Sequence, residues 1–414
     1  MHFVESHNYS LRTPYNEIMR KALSPRTFAR GFLLALPLVI LAFVPVACNL
    51  GSLPETHRIG HLAPRTGSDG AAGIRLGEAI AMVVDSVNHD ESNGVERRQM
   101  TVVHADTGPN LDGFTFQATR LLALNHVEAL LGATNTEQLA KCVGPVQTNE
   151  VVIVSPSSPL VGTTSKLIWA VGLPAPLRGK WLARHAFGAM KITDIATVVD
   201  QSNPTFAAIR DAFATEFLHP DRHVSSEWTF VSWKDAKETS DFAKKVQATA
   251  PKAILFCGRA ADLLQFRSAM HSAEKMDATK ILFGGEEEEP VLRQEPQNSE
   301  GVVFVSAFTP LAPSETVKTF CTDFRNRCGQ LPEAVDALSA DAARVLFAAA
   351  IKAQTFKVKG APTPLVEKLA KFEMELPTGP FVFSEDGVAQ RTAYVLQIQS
   401  GQVQLQKVCP PEKQ

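Results

Sequence analysis

The sequence lacks the signatures of the common catalytic and nucleotide-binding sites. It contains no G-x-S-x-G turn, no H-E-x-x-H helix, no G-x-x-x-x-G-K-[ST] phosphate loop and no G-x-G-x-x-G fingerprint. Its 11 histidines are scattered along the chain rather than clustered. These absences argue against an enzyme, and we expect no catalytic residue, no metal site and no cofactor.

Neither sign of charge is in excess. The 41 Lys and Arg residues are nearly balanced by 43 Asp and Glu residues, for a formal net charge of −2. The basic residues form no stripe or run of the kind that binds nucleic acid or an anionic membrane surface. We therefore expect no nucleic-acid partner.

Cysteine is scarce and is not arranged for metal binding. The five cysteines in the body of the chain form no CxxC pair and no Cys/His metal spacing. We expect Cys142 and Cys257 to be buried free thiols. Cys321 and Cys328 are seven positions apart on one predicted helix, about 10 Å along its axis, which exceeds the reach of a disulfide. A bridge from Cys409 to one of them stays open.

Long apolar runs are also missing, but one short run near the start of the chain indicates export. Residues 31–44 are apolar and follow several basic residues, and small residues lead to Cys48. This pattern is typical of an export signal, and the run is shorter than the ~20 residues of a membrane-spanning helix. The P-V-A-C segment at 45–48 resembles a bacterial lipobox, so we expect residues 1–48 to be removed up to Cys48 and Cys48 to be lipidated. The alternatives are an unanchored exported protein and a transmembrane anchor, and Met19 fits a start better than Met1.

After a short tether at 49–56, predicted strands and helices alternate. The strands are short, apolar and rich in β-branched residues, which is typical of parallel sheets covered on both faces. A Pro/Gly-containing stretch at 167–179 separates two such α/β units. The predicted strands are 57–63, 99–106, 128–132, 151–155, 195–200, 227–232, 252–258, 280–285 and 301–308, and the predicted helices include 74–88, 113–125, 136–148, 205–217, 239–248 and 260–272.

The last part of the chain has a different pattern. Predicted helices at 314–328, 335–354 and 364–372 are followed by short antiparallel strands with turns at Asp386-Gly387 and Ser400-Gly401. Because this return segment follows the second α/β unit, we expect the chain to pass between two lobes more than once.

Two hydroxyl-rich loops follow predicted strands of the first unit. One carries Thr134, Asn135 and Thr136 at the start of a helix, and the other carries Ser157 and Ser158. Open α/β sheets bind ligands at the carboxyl ends of their strands, and a helix start with nearby hydroxyl groups can hold a carboxylate. The alternative is ordinary helix capping, for which Ser, Thr and Asn are the preferred residues.

Charged residues end two strands of the second unit. Arg259 follows strand 252–258 and Glu286 follows strand 280–285. A carboxylate can accept hydrogen bonds from an ammonium group, and an arginine can pair with an acidic ligand. The alternative is an internal pair between Arg259 and Glu286. The acidic run 286–289 otherwise predicts a solvated loop.

The order of these segments resembles the leucine/isoleucine/valine-type (branched-chain amino acid) substrate-binding proteins of ABC importers. The resemblance runs from about residue 58 to 405 and is carried by IGHLAPRTG, VVHADTGPN, EALLGATNTEQLA, VVIVSPSSPL, ILFGGEE and GPFVFSEDGVAQ. It implies the type I periplasmic-binding-protein fold: two Rossmann-like lobes with doubly wound parallel sheets, joined by a three-strand hinge. The implied lobes are 57–171 plus 309–384, and 175–304 plus 390–409.

The resemblance also implies a site and partners. The loops at 134–136 and 157–158 would hold the carboxylate and ammonium of an amino acid, and Glu286 would pair with the ammonium. The family often has an aromatic residue at the place of Arg259 and a Tyr-Gly pair near Pro204, and neither is present here. The implied protein is a monomeric lipoprotein of the cell envelope that delivers a small polar ligand to a membrane permease. A non-transport envelope lipoprotein with a regulatory or interaction role is the alternative.

Overall fold

The computed structural model describes most of the chain beyond its first 55 residues. The described residues are 56–89, 94–163, 165–271, 279–358, 363–384 and 387–411. The predicted export signal, the lipidation at Cys48 and nearly all of the tether lie outside them. Within the described part, no helix has the length and apolar character needed to cross a membrane.

The first α/β unit builds a five-stranded sheet. Its elements are β1 (His57–Ala63), α1 (Gly70–His89), β2 (Met100–Asp106), α2 (Asp112–Ala123), β3 (Ala129–Gly132), α3 (Thr136–Asn149), β4 (Val152–Ser155) and β5 (Ile168–Ala170). All strands are parallel, in the order β2-β1-β3-β4-β5. Every residue of β3 and β4 is buried, as expected of apolar strands covered by helices on both faces.

The second unit supplies most of a seven-stranded sheet. Its elements are α4 (Ala175–Gly188), β6 (Asp194–Asp200), α5 (Pro204–Phe217), β7 (His223–Phe230), α6 (Ala236–Ala248), β8 (Ala253–Cys257), α7 (Ala260–His271), β9 (Lys280–Phe283), α8 (Glu289–Leu292), α9 (Pro296–Ser299) and β10 (Val303–Ser306). The strands β6 to β10 pair in parallel. The edge strand β7 begins four residues before its predicted start. Its residues alternate between exposed and half-buried, so its first half lacks the apolar run from which the other strands were predicted.

The return segment covers the first sheet with a helix, forms a small sheet of its own and adds two strands to the second sheet. Its elements are α10 (Glu315–Cys328), α11 (Ala334–Ala353), α12 (Pro364–Ala370), β11 (Glu373–Leu376), β12 (Gly379–Phe383), β13 (Ala389–Arg391), β14 (Ala393–Gln399) and β15 (Gln402–Cys409). Helix α11 packs on α1, β3 and β4. Strands β11 to β13 form a small antiparallel sheet, whereas β14 and β15 extend the second sheet to the order β15-β14-β10-β9-β8-β6-β7.

The molecule therefore has two lobes, which confirms the predicted α/β class with doubly wound parallel sheets. We call the five-stranded sheet with its helices lobe 1, and the seven-stranded sheet with its helices lobe 2. The chain passes from lobe 1 to lobe 2 after β5, returns after β10, and enters lobe 2 again between β13 and β14.

The predicted turn at Ser400-Gly401 and the open question of cysteine pairing can be compared with the structure. The hairpin of β14 and β15 turns at Ser400 and Gly401, whose φ angles of 51° and 70° suit a type I′ turn. Cys321 and Cys328 both lie on α10 and carry free thiols, so neither is bridged to Cys409. The other predicted turn begins at Asp386, outside the described residues.

Candidate functional site

The two lobes meet where α3 of lobe 1 begins. Gly132 and Ala133 have φ angles of 120° and 65°, and they turn the chain sharply between β3 and α3. A Cβ atom at Gly132 would lie 2.2 Å from the carbonyl oxygen of Leu62, so only glycine fits this turn. The turn brings the first backbone N–H groups of α3 to the side of the lobe that faces lobe 2.

Asn135 caps this helix, and Thr134 is bonded to a side chain of its first turn. The side chain of Asn135 accepts a hydrogen bond from Gln138 N at 2.9 Å. The N and Oγ1 atoms of Thr134 donate to Gln138 Oε1 at 2.9 and 3.0 Å. The capping alternative therefore describes Asn135, while Thr134 is held by the side chain of Gln138.

Thr136 contacts lobe 2 through the predicted acidic residue. Its backbone N donates to Glu286 Oε1 and Oε2 at 3.2 and 3.1 Å, and its Oγ1 donates to Oε2 at 3.0 Å. Thr136 is 2% exposed and Glu286 is 8% exposed. Burial raises the pKa of Glu286, and the hydrogen bonds from Thr136 oppose that shift. The structure thus brings together Thr136 and Glu286, which are 150 positions apart in the sequence.

Two residues that were not predicted from the sequence also contact Thr136. Asn203 Nδ2 and Thr205 Oγ1 both donate to Thr136 Oγ1 at 3.1 Å, and both residues are buried. Asn203 also caps α5, because its side chain accepts from Thr205 N at 2.9 Å. The sequence indicated these two residues only through the Asn-Pro pair that starts the helix after β6.

The serine loop after β4 is buried and mostly bonded within itself. Ser155 Oγ donates to the Ala133 carbonyl at 2.5 Å and lies 2.8 Å from Ser157 Oγ. Ser157 Oγ in turn donates to the Ser158 carbonyl at 3.0 Å. Ser158 is 2% exposed, and its Oγ has no hydrogen-bond partner among the described residues. A buried hydroxyl without a partner is costly, which makes Ser158 a candidate ligand contact.

Arg259 pairs with Glu137 and not with Glu286, which the sequence offered as its internal partner. Its Nη2 lies 2.6 Å from both carboxylate oxygens of Glu137, in the first turn of α3. The alternative of an internal pair between Arg259 and Glu286 is therefore wrong, because Glu286 is turned towards the backbone of α3. The side chain of Arg259 is 49% exposed, so this second interlobe contact is a weaker one than the buried contact of Thr136.

The prediction that residues 286–289 form a solvated loop is also wrong. Glu287 pairs with the buried Arg178 at 2.6 Å and accepts from Ser306 Oγ at 2.6 Å and from Ala307 N at 2.9 Å. Glu288 accepts from Ala260 N at 2.6 Å, and burial raises its pKa to about 7. These acids are partly withdrawn from solvent because they satisfy a helix start, a backbone N–H group and a buried arginine.

The fold and this geometry can now be compared with known proteins. A family model described as "Periplasmic binding protein" matches residues 56–402. The chain belongs to this family. A comparison with curated protein sequences found no match.

Solved structures that resemble this periplasmic binding protein are distant in sequence but similar in fold. A leucine binding protein LivK from Thermotoga maritima has 20% identity and a TM-score of 0.74, with 86% of this chain and 99% of that chain covered. LivJ from Streptococcus pneumoniae, in complex with isoleucine, has 20% identity and a TM-score of 0.72, with 86% and 100% covered. A solute binding protein of an ABC transporter from Rhodopseudomonas palustris, in complex with 3,4-dihydroxybenzoic acid, has 16% identity and a TM-score of 0.71, with 86% and 98% covered.

These neighbours are binding proteins, and their ligands differ in chemistry. One holds an amino acid and another an aromatic acid, which share a carboxylate but not an ammonium group. The fold is therefore common to both ligand classes. Among the described residues of this protein, no cluster of three or more His, Cys, Asp or Glu is placed to hold a metal ion.

Proposed function

We propose that this protein is an extracytoplasmic lipoprotein that binds an amino acid or a related small polar compound between its lobes and delivers it to an ABC importer. The observation that supports this best is the buried meeting of Thr136 with Glu286. There the hydrogen-bond donors of a helix start lie next to a carboxylate of the other lobe. An α-amino acid needs such donors for its carboxylate and such an acceptor for its ammonium group.

The proposed contacts come from both lobes. Thr134, Asn135, Thr136, Ser157 and Ser158 belong to lobe 1. Glu286 and Arg259 belong to lobe 2. Of these, Thr136 and the Ser158 hydroxyl are the buried donors, and Glu286 is the buried acceptor. Buried charges without partners cost several kcal/mol, so a zwitterionic ligand is favoured over an uncharged one.

A thermal-shift screen of residues 49–414 against amino acids, amides and small organic acids tests this function. A ligand that binds only the folded state adds RT ln(1 + [L]/Kd) to its stability, ~2.7 kcal/mol at a hundredfold excess over Kd. We expect at least one α-amino acid to raise the Tm and to give a Kd by calorimetry. If no compound in the screen raises the Tm, the transport function is refuted.

Membrane anchoring through Cys48 is part of the proposal, and it rests on the sequence of residues 31–48. Family membership supports an extracytoplasmic location for the folded body. Delivery to an importer implies a permease as the membrane partner, and a monomer is the form we expect to dock on it.

A non-transport envelope protein is the second candidate, and one observation favours it. The donors and acceptors of the interlobe site satisfy each other: Thr136 with Glu286, and Glu137 with Arg259. A regulatory or interaction domain would keep such contacts permanently. Permease and ATPase genes beside this gene would favour transport. A thermal-shift screen in which no compound binds would favour the second candidate.

A further inference from the structure

The interlobe site already contains one carboxylate, which is supplied by the protein itself. Both oxygens of Glu286 accept from Thr136 N, and one also accepts from Thr136 Oγ1. A backbone N–H at a helix start together with a hydroxyl group is a typical arrangement for holding an anion. Glu286 thus uses the same donors that a ligand carboxylate would need.

The environment of Thr136 fixes these donors in place. A hydroxyl group has one proton to donate and two acceptor positions. Asn203 Nδ2 and Thr205 Oγ1 both donate to Thr136 Oγ1 at 3.1 Å, so its acceptor positions are filled. Its proton is therefore directed at the carboxylate of Glu286. The donors are organised for an anion before any ligand arrives.

We propose that Glu286 is a specificity-determining residue that competes with ligand carboxylates for the start of α3 and excludes anions that bring no cation. This inference rests on the proposed function, because it assumes that ligands bind at α3. A carboxylate that takes over Thr136 displaces Glu286 and leaves it buried and unpaired, which is unfavourable. A zwitterion supplies an ammonium group for the displaced Glu286, so both charges stay paired.

The surrounding charges leave Glu286 few other partners. Arg178 is the buried cation whose charge acts on Glu286, and its Nη2 is engaged by Glu287 at 2.6 Å. The neighbouring carboxylates of Glu137 and Glu288 carry the same sign as Glu286. A displaced Glu286 would therefore move among other acids rather than towards a cation.

Calorimetric titration with two carboxylates that lack an ammonium group, propionate and benzoate, tests the proposal. We compare the wild-type protein with Glu286→Ala and with the isosteric Glu286→Gln. Removing the competing carboxylate should tighten binding of at least one of the two probes by tenfold or more. The Glu315→Gln variant is the matched control, because it removes an exposed acid from the first turn of another helix, α10, outside the interlobe site. It should change the Kd of either probe less than threefold.

A double variant tests whether the tighter binding of the probes depends on α3. In the double variant Thr136→Val/Glu286→Ala the hydroxyl donor is gone, and most of the gain should be lost. Circular dichroism establishes that each variant is folded. If Glu286→Ala and Glu286→Gln bind neither probe more tightly than Glu315→Gln does, the proposal is overturned.

The outcome is distinguishable from a failure of the proposed function. A wild-type protein that binds an amino acid, with no gain for the probes in either Glu286 variant, would support the function and refute the role of Glu286. A gain for the probes in Glu286→Ala, with no amino acid bound by the wild type, would support the role of Glu286 and refute the ligand class.

Discussion

At the scale of single residues, the buried carboxylate of Glu288 makes stability depend on pH. Its pKa is raised from 4.5 to about 7 by burial at the start of α7. The folded state therefore holds a proton that the unfolded state releases, and stability falls as the pH rises from 4.5 to 7. Glu288→Gln keeps an acceptor for Ala260 N without this loss. We expect it to be more stable than the wild type by about 3 kcal/mol at pH 8.

The measurement is urea unfolding at pH 4.5 and pH 8. The difference between Glu288→Gln and the wild type should vanish at the lower pH, because the wild-type side chain is then neutral in the folded state. Glu373→Gln, at an exposed position on β11, should not show this pH dependence. Equal differences at both pH values would show that Glu288 is not the titrating group.

The pair of Arg259 with Glu137 gives a second residue-scale prediction. Its two N–O distances of 2.6 Å are short, but the arginine side chain is 49% exposed. Exposed pairs contribute about 0.2–1 kcal/mol and are screened by salt. A double-mutant cycle with Arg259→Ala and Glu137→Ala should therefore give a coupling energy below about 1 kcal/mol. The coupling should decrease in 0.5 M NaCl, and a larger, salt-independent value would mean that the pair is buried when the lobes close.

At the scale of secondary-structure elements, Arg391 of β13 joins three parts of the chain where it passes between the lobes. Its guanidinium group donates to Asp341 of α11 at 2.8 Å, to Thr378 Oγ1 and to the carbonyl oxygen of Val171. Arg391 is 2% exposed and Asp341 is fully buried. Arg391→Met would leave the Asp341 carboxylate without its cation, so we expect a loss of about 3–5 kcal/mol in the free energy of unfolding.

Arg327 of α10 provides the matched control. It also contacts two carboxylates, Glu78 and Asp85 of α1, at 2.6 Å each, but its side chain is 34% exposed. Arg327→Met should cost less than about 1 kcal/mol by the same denaturation measurement. Similar losses for both variants would mean that burial does not set the strength of the Arg391 contact.

At the scale of the whole molecule, the proposed lipid on Cys48 decides where the protein is found. Cys48→Ser should leave an unprocessed precursor or release the protein in unanchored form, because serine cannot carry the thioether-linked lipid. Intact-mass analysis of the membrane-extracted wild type should show a lipid on a chain that begins at Cys48. A mature chain that begins elsewhere and carries no lipid would refute the lipoprotein assignment.

The sequence by itself determined the architecture, because the signals for it are local. Short apolar runs such as 128–132 and 151–155 alternate with helical patterns, and a parallel sheet covered on both faces buries such strands. The turn at Ser400-Gly401 was predictable for the same reason, since glycine adopts a positive φ angle readily and serine is common in turns. The sequence also placed Thr136 and Glu286 at the carboxyl ends of strands, where ligands bind in this type of sheet.

Only the tertiary structure decided which side chains meet. Thr136 and Glu286 are 150 positions apart, and Arg259 and Glu137 are 122 apart, so their pairing depends on how the chain passes between two lobes. The composition of the acidic run 286–289 is typical of a solvated loop, yet the fold places it against Arg178, a helix start and the backbone of α3. Local sequence encodes elements through short-range periodicity, whereas pairing across the lobes follows from the packing of elements that are distant in the chain.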